Sequence, residues 1–264
     1  MFDWINPEEA AERLNRGTGK GVRIAVLDSG IEIGHSEFAG RQLANDWIVQ
    51  PDTNEILPGT GEDPLGHGTA IASLIWKYAP AAEIGSFRVL RNNLKGRSSQ
   101  IAAAAREAIA RGYHLLNCSF GCCLSGHLLF YKEWVDLAYR ANVHIVAASS
   151  GVGHQEWPAQ LSSVMAVECD PSRTDGRFHH RSNMLVEFSI AAVDCSVAWN
   201  GNGQRVMTGS SFSAAIFTGL IARILEFYPG IQPLQLKVLM ASLAGREKGS
   251  VSRRKKPRGR SPAF

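Results

Sequence analysis

The sequence predicts a three-layer α/β fold, a doubly wound and mostly parallel sheet with helices on both faces. Two observations carry this. Short β-branched runs alternate with helical stretches along nearly the whole chain, and such alternation pairs parallel strands through covering helices. The chain has 264 residues, 45% hydrophobic and 20% charged. That is enough apolar chain to bury a large core without disulfide or metal staples. The same balance excludes disordered, collagen-like and coiled-coil classes.

The first strand is expected at 22–27 (VRIAVL), ended by Asp28-Ser29-Gly30. Residues 68–77 read as a helix with an apolar face, and 83–90 as a strand. The alanine-rich stretch 99–111 reads as a helix that Gly112 stops. A strand at 113–118, a helix at 128–141 and a strand at 143–148 follow. Further strands are expected at 164–168 and 186–190. A long apolar helix at 211–228 ends at Pro229-Gly230, and 233–243 forms the last helix. No repeat or linker interrupts this pattern, so residues 1–245 are read as one domain and 246–264 as a tail. In sheets of this kind, sites gather at the C-terminal ends of the strands.

Net charge is +4, but it is unevenly spread. The tail 246–264 holds eight Lys/Arg and one Glu, whereas the other 245 residues hold 20 basic and 23 acidic groups. Such a tail has little to bury and reads as disordered. It is either simply solvated or in contact with an anionic partner. The mildly acidic body argues against nucleic acid as the main substrate. No apolar run approaches the roughly 20 residues of a bilayer span, and the start lacks the basic and apolar regions of a signal peptide. The five cysteines (Cys118, Cys122, Cys123, Cys169 and Cys195) are odd in number and show no zinc-ligand spacing. Free thiols in a reducing cytoplasm are the simplest reading.

Three segments carry candidate chemistry. Asp28 stands at the end of the first strand, where it is either a turn aspartate or a site carboxylate. His67 lies between Gly66 and Gly68 at a helix start, placed to cap, to pack or to act as a base near pH 7. Ser211, in the run 208–215 (TGSSFSAA), opens a long apolar helix. It is either an N-cap or a nucleophile beside helix-start N–H groups that stabilise developing negative charge. Together the three supply what serine hydrolysis requires: a hydroxyl, an imidazole to take its proton and a carboxylate to orient the imidazole.

The chain resembles the subtilisin-like serine peptidases, whose chain order is likewise Asp, His, Ser. Residues 17–31 (GTGKGVRIAVLDSGI) are similar to that family's aspartate motif, Gly66-His67-Gly68-Thr69 to its histidine motif, and 209–214 (GSSFSA) to its serine motif. Residues 116–121 (LNCSFG) resemble the strand that lines the family's substrate cleft. The likeness runs over roughly residues 10–244. It implies that Ser211 attacks the scissile carbonyl, that His67 shuttles the proton and that Asp28 holds the imidazole. It implies one oxyanion donor at the Ser211 backbone N–H. It also implies a peptide substrate laid against Leu94, Lys95, Gly96, Ser119, Phe120, Gly121, Ala147, Ala148 and Ser149 by β-augmentation.

The pattern also departs from the family. The second oxyanion donor is usually an asparagine side chain; here Ser150 stands in its place, with Ser210 as a possible assistant where threonine is usual. Losing such a donor costs about 10² to 10³ in turnover, a magnitude that comes from a subtilisin asparagine itself and is carried over here. A slowed or specialised peptidase is therefore expected, with a non-catalytic peptide-binding module as the alternative. The helix after His67 runs directly into Tyr78-Ala79-Pro80 without the family's calcium loop, and Glu37 lacks the other ligands, so no cofactor and no tight metal site is expected. No propeptide segment is recognised before the catalytic body. Glu156, just before Trp157-Pro158, aligns with the bottom of the main specificity pocket. There it would favour Lys or Arg; otherwise it is an exposed loop glutamate.

Overall fold

The computed structural model of the chain describes residues 5–151 and 155–245. The chain runs through α1 (Pro7–Arg16), β1 (Arg23–Asp28), β2 (Asp46–Val49), β3 (Ile56–Pro58), α2 (His67–Tyr78), β4 (Glu83–Arg88), α3 (Ser98–Ala110) and β5 (Leu115–Cys118). It continues through α4 (Leu128–Arg140), β6 (His144–Ala148), β7 (Met165–Cys169), β8 (Phe178–His180) and β9 (Phe188–Ile190). It ends with β10 (Cys195–Trp199), β11 (Gly203–Met207), α5 (Ser210–Leu225) and α6 (Pro233–Leu243). The tail 246–264 lies outside the described residues.

Nine strands form one sheet in the order β3-β2-β4-β1-β5-β6-β7-β9-β8. The seven from β2 to β9 in that order are parallel; β3 and β8 close the two edges antiparallel. Side chains alternate across the sheet, as strand geometry requires. Ile24 and Val26 of β1 enter one core with α2, α5 and α6. Ala25 and Leu27 enter the other with α3 and α4. The parallel strands are buried on both faces, which is why they read as continuous apolar runs.

The strand order reverses at β1. From β1 the chain moves outward to β2, returns to β4 beside β1, and then crosses to β5 on the other flank. Ligands bind at such switch points, outside the carboxyl ends of the strands. Asp28 is the last residue of β1, and Ser119 follows directly after β5.

Six elements carried no expectation from sequence: α1, β2, β3, β8 and the β10–β11 hairpin. α1 is amphipathic and well signalled. Asn6 accepts from the Glu8 N–H, Pro7 occupies the first turn, and Arg13 and Arg16 sit at its C-terminal end. The hairpin turns at Asn200-Gly201-Asn202, where Gly201 and Asn202 take positive φ.

Candidate functional site

The site is built at the reversal point. β1 ends with Asp28, whose Oδ1 accepts from the Ser29 N–H (2.8 Å) and meets His67 Nδ1 at 2.8 Å. His67 is the first residue of α2. Its approach to β1 depends on its neighbour. A Cβ on Gly68 would lie 2.1 Å from the Gly30 carbonyl and 3.1 Å from the Asp28 Cβ. The Gly68 N–H donates to Ser29 Oγ (3.0 Å) and seals this junction. Gly66, at φ 99°, faces the Trp199 ring, which a Cβ would strike at 2.7 Å.

Both Asp28 and His67 are buried. Burial disfavours the imidazolium, but the charge and hydrogen bond of Asp28 and the charge of Asp63 outweigh it. His67 therefore titrates above the ordinary histidine value. Asp63 is itself buried. Its carboxylate accepts from the Thr69 N–H (2.9 Å), the Thr69 hydroxyl (2.8 Å) and the Leu65 N–H (3.0 Å).

Ser211 is the second residue of α5, not its cap; Gly209 holds the capping position and no side chain caps the helix. The Ser211 hydroxyl donates to the Ser119 carbonyl at 3.2 Å. The Phe212 ring lies 5.8 Å from the His67 ring, centroid to centroid, and so fixes the imidazole against the start of α5. Ser210, the first residue of α5, is half-buried. A buried polar chain ties α5 to β5. Thr218 of α5 donates to Asn117 Oδ1 (2.8 Å), Asn117 Nδ2 donates to Ser119 Oγ (2.9 Å), and Ser119 Oγ reaches the Ser211 carbonyl (3.4 Å). Asn117, Thr218 and Asp63 were missed from sequence. Asn117 did leave a signal, a single amide inside the apolar strand Leu115-Leu116-Asn117-Cys118.

A cavity of about 600 Å³ opens alongside. One wall is the 91–95 turn, closed by the Leu94 N–H donating to the Arg91 carbonyl (2.9 Å), with Leu94 at φ 58°. Leu94, Lys95 and Gly96 face Phe120, Gly121 and Cys122 across it. Ala147 and Ala148 are buried in β6 with their methyl groups in the two cores, so only their backbone is available to a ligand.

Glu156 is not an exposed loop residue. It is buried, and its carboxylate accepts from the Ser149 hydroxyl, the Ser150 N–H (2.8 Å) and the Ser150 hydroxyl (2.7 Å). It lies against the 119–121 segment, since a Cβ on Gly121 would stand 3.5 Å from Glu156 Oε1. Ser150 thus meets Glu156 with the donor that the resemblance assigned to the oxyanion. Glu37 is exposed in the short 3-10 turn Ser36–Phe38.

A three-layer parallel sheet with an Asp–His pair at its reversal point and a serine at the head of the central helix defines a subtilisin-like α/β protein. The chain belongs to the subtilase family, whose model matches residues 19–257. It is 27% identical to the Thermostable alkaline protease of Halalkalibacterium halodurans over 89% of this chain and 65% of that one. It is also 27% identical to Subtilisin Savinase of Lederbergia lenta, over 88% of this chain and 87% of that one. It therefore spans about two thirds of the length of the first of these relatives. Among solved structures it is similar to a cold-adapted subtilisin-like serine proteinase (TM-score 0.70, 24% identity, 90% of this chain and 87% of that one). It is similar too to Sphericase (TM-score 0.69, 23% identity, 87% and 86%). These two likenesses concern the fold.

Proposed function

We propose that the chain is a serine endopeptidase that hydrolyses peptide bonds through an acyl-enzyme. The observation that carries this is the buried 2.8 Å Asp28–His67 contact set against the first turn of α5, where Ser211 stands. For attack, the Ser211 hydroxyl leaves the Ser119 carbonyl and passes its proton to His67, which then delivers it to the leaving amine. Asp28 holds the ring and stabilises the imidazolium. The N–H groups at the head of α5 stabilise the oxyanion, with the Ser211 N–H as one donor. A water then attacks the acyl-enzyme, giving its proton to His67, and the new carboxylic acid leaves as the Ser211 hydroxyl takes that proton back.

The substrate is a peptide lying extended between the 94–96 turn and Ser119-Phe120-Gly121. Glu156, buried beneath Gly121, supports a preference for Lys or Arg before the scissile bond, and with it a narrow role such as processing of a precursor peptide. Five cysteines without a disulfide partner support a cytoplasmic setting. Among the described residues no helix is long and apolar enough to cross a membrane. An anionic partner for the tail is a separate proposal, resting on its charge.

Labelling with a fluorophosphonate, beside Ser211→Ala, tests the activity. Labelling lost in the variant is the expected result. One observation favours a second reading, a peptide-binding module: the hydroxyls of Ser211 and Ser150 are both engaged elsewhere, with Ser119 and Glu156. No labelling of the wild type by any probe, with peptide affinity retained, would establish that reading instead. A peptide-library digest tests the preference, which Glu156→Ala should abolish.

A further inference from the structure

By the family resemblance Ser150 takes the place of the second oxyanion donor, yet a serine hydroxyl carries one hydrogen. In this structure that hydrogen is directed at Glu156 Oε1, 2.7 Å away, while the Ser150 N–H donates to Oε2 at 2.8 Å. The Ser149 hydroxyl adds a further bond to Oε2. A carboxylate that accepts three donors in a buried place is a strong anchor, because hydrogen bonds to charged groups are about twice as strong as neutral ones. The loop that should complete the oxyanion site is thus held by the residue that reads the substrate.

We infer that Glu156 is a latch: it withholds the Ser150 hydroxyl from the oxyanion until a cationic substrate side chain takes the carboxylate. This rests on the peptidase reading and adds a coupling to it. The geometry supplies the coupling. The segment from Ser119 to Gly121 has Ser211 at one end, through the 3.2 Å contact with the Ser119 carbonyl, and the Glu156 carboxylate at the other. Two residues of chain span at most about 7 Å, within the reach of a Lys or Arg side chain. A guanidinium offers five N–H donors in a rigid fork and can take both carboxylate oxygens at once. The Ser150 hydroxyl is the weaker, neutral donor on Oε1, so it is the bond given up, and its hydrogen turns to the developing oxyanion. Recognition and transition-state stabilisation then share one carboxylate. Selectivity for basic residues appears in kcat and not only in KM, because the donor is supplied only when the correct side chain is bound.

The test compares peptides with Arg or Ala before the scissile bond in the wild type, Glu156→Ala and Glu156→Ala/Ser150→Ala. A latch predicts that Glu156→Ala lowers kcat/KM for the Arg peptide but raises kcat for the Ala peptide. The rise should be about tenfold or more, a share of the 10² to 10³ that one oxyanion donor contributes. Adding Ser150→Ala should remove that gain. A merely structural Glu156 would lower kcat on both peptides, and that result overturns the latch. A second measurement needs no variant. Butylguanidinium, filling the pocket in trans, should accelerate labelling of the wild type by a small uncharged fluorophosphonate several-fold. Ser211-dependent labelling that the cation leaves unchanged overturns the latch alone. No Ser211-dependent labelling or hydrolysis under any condition overturns the peptidase reading and the latch with it.

Discussion

At the residue scale the site depends on where a few protons sit. His67 acts as a base only when neutral, and Asp28 and Asp63 hold its proton above the usual histidine range. Activity should therefore fall as pH drops through a midpoint displaced to the alkaline side of 6.5, and level off above it. Asp63→Asn removes one of the charges holding that proton, so the midpoint should move to lower pH. A kcat/KM profile on one peptide measures both. Asp28→Asn should move it further still, at a cost in turnover of about 10⁴, the magnitude known for the equivalent change in a serine protease of another fold. The Asn117 bridge makes a different kind of claim. Asn117→Ala leaves the buried Thr218 hydroxyl without its acceptor and Ser119 without its donor. A loss of roughly 1–3 kcal/mol in unfolding free energy is expected. Thr218→Ala on top of it should cost less than it does alone, because the two share one bond. Denaturant titration of the two single variants and the double variant checks this.

At the element scale the sequence was legible where an element is apolar and long. Apart from β2, the parallel strands and helices α2 to α6 were all expected within a few residues of their observed bounds, because burial on both faces leaves a continuous apolar signature. β2, β3 and β8 are three or four residues long and lie at or near the sheet margins. Edge pairing asks little of a sequence beyond an available strand, so little is written there. Asp28, His67 and Ser211 were legible because each stands at an element boundary with a recognisable neighbour. The Ser150–Glu156 contact was not, because it is a loop closure set by backbone geometry that no spacing encodes. Gly68 is the junction on which the site's assembly turns. Gly68→Ala should push α2 away from β1, since its Cβ would meet the Gly30 carbonyl at 2.1 Å. Loss of probe labelling together with a lower unfolding midpoint is expected. Ala72 lies one turn further on in the same helix and is fully buried; Ala72→Gly should lower the midpoint with labelling retained.

At the scale of the whole molecule, the N-terminal segment is fastened to the far end of α5. Glu226 Oε2 accepts from the backbone N–H groups of Thr18 (2.7 Å), Gly19 (2.8 Å) and Lys20 (3.3 Å). Partial burial works against the carboxylate, but these donors outweigh it and hold its pKa below the ordinary value. A depressed carboxylate stabilises the fold above its unfolded pKa, and that stability is lost as pH falls through the folded one. Glu226→Gln should therefore lower the unfolding midpoint near neutral pH, and the difference should vanish in acid. Thermal melts across pH 2–7 measure it. Deleting 246–264 should leave both the midpoint and the labelling unchanged, because the core closes with α6 and the bridge between Gly245 and His179.

The order in which the site's parts occur along the chain has a consequence of its own. Asp28, His67 and Ser119 all precede α5 in the sequence, and Ser211 arrives with α5, which packs against β5, β6, β7 and α2 at once. During synthesis from the N-terminus, a ribosome-bound chain that has already built most of the sheet still lacks its serine. The newborn protein is thus harmless to itself and to its neighbours until one of its last helices docks. Contacts of such long sequence separation form late and slowly, so hydrolytic capacity should appear only with the final cooperative step of folding.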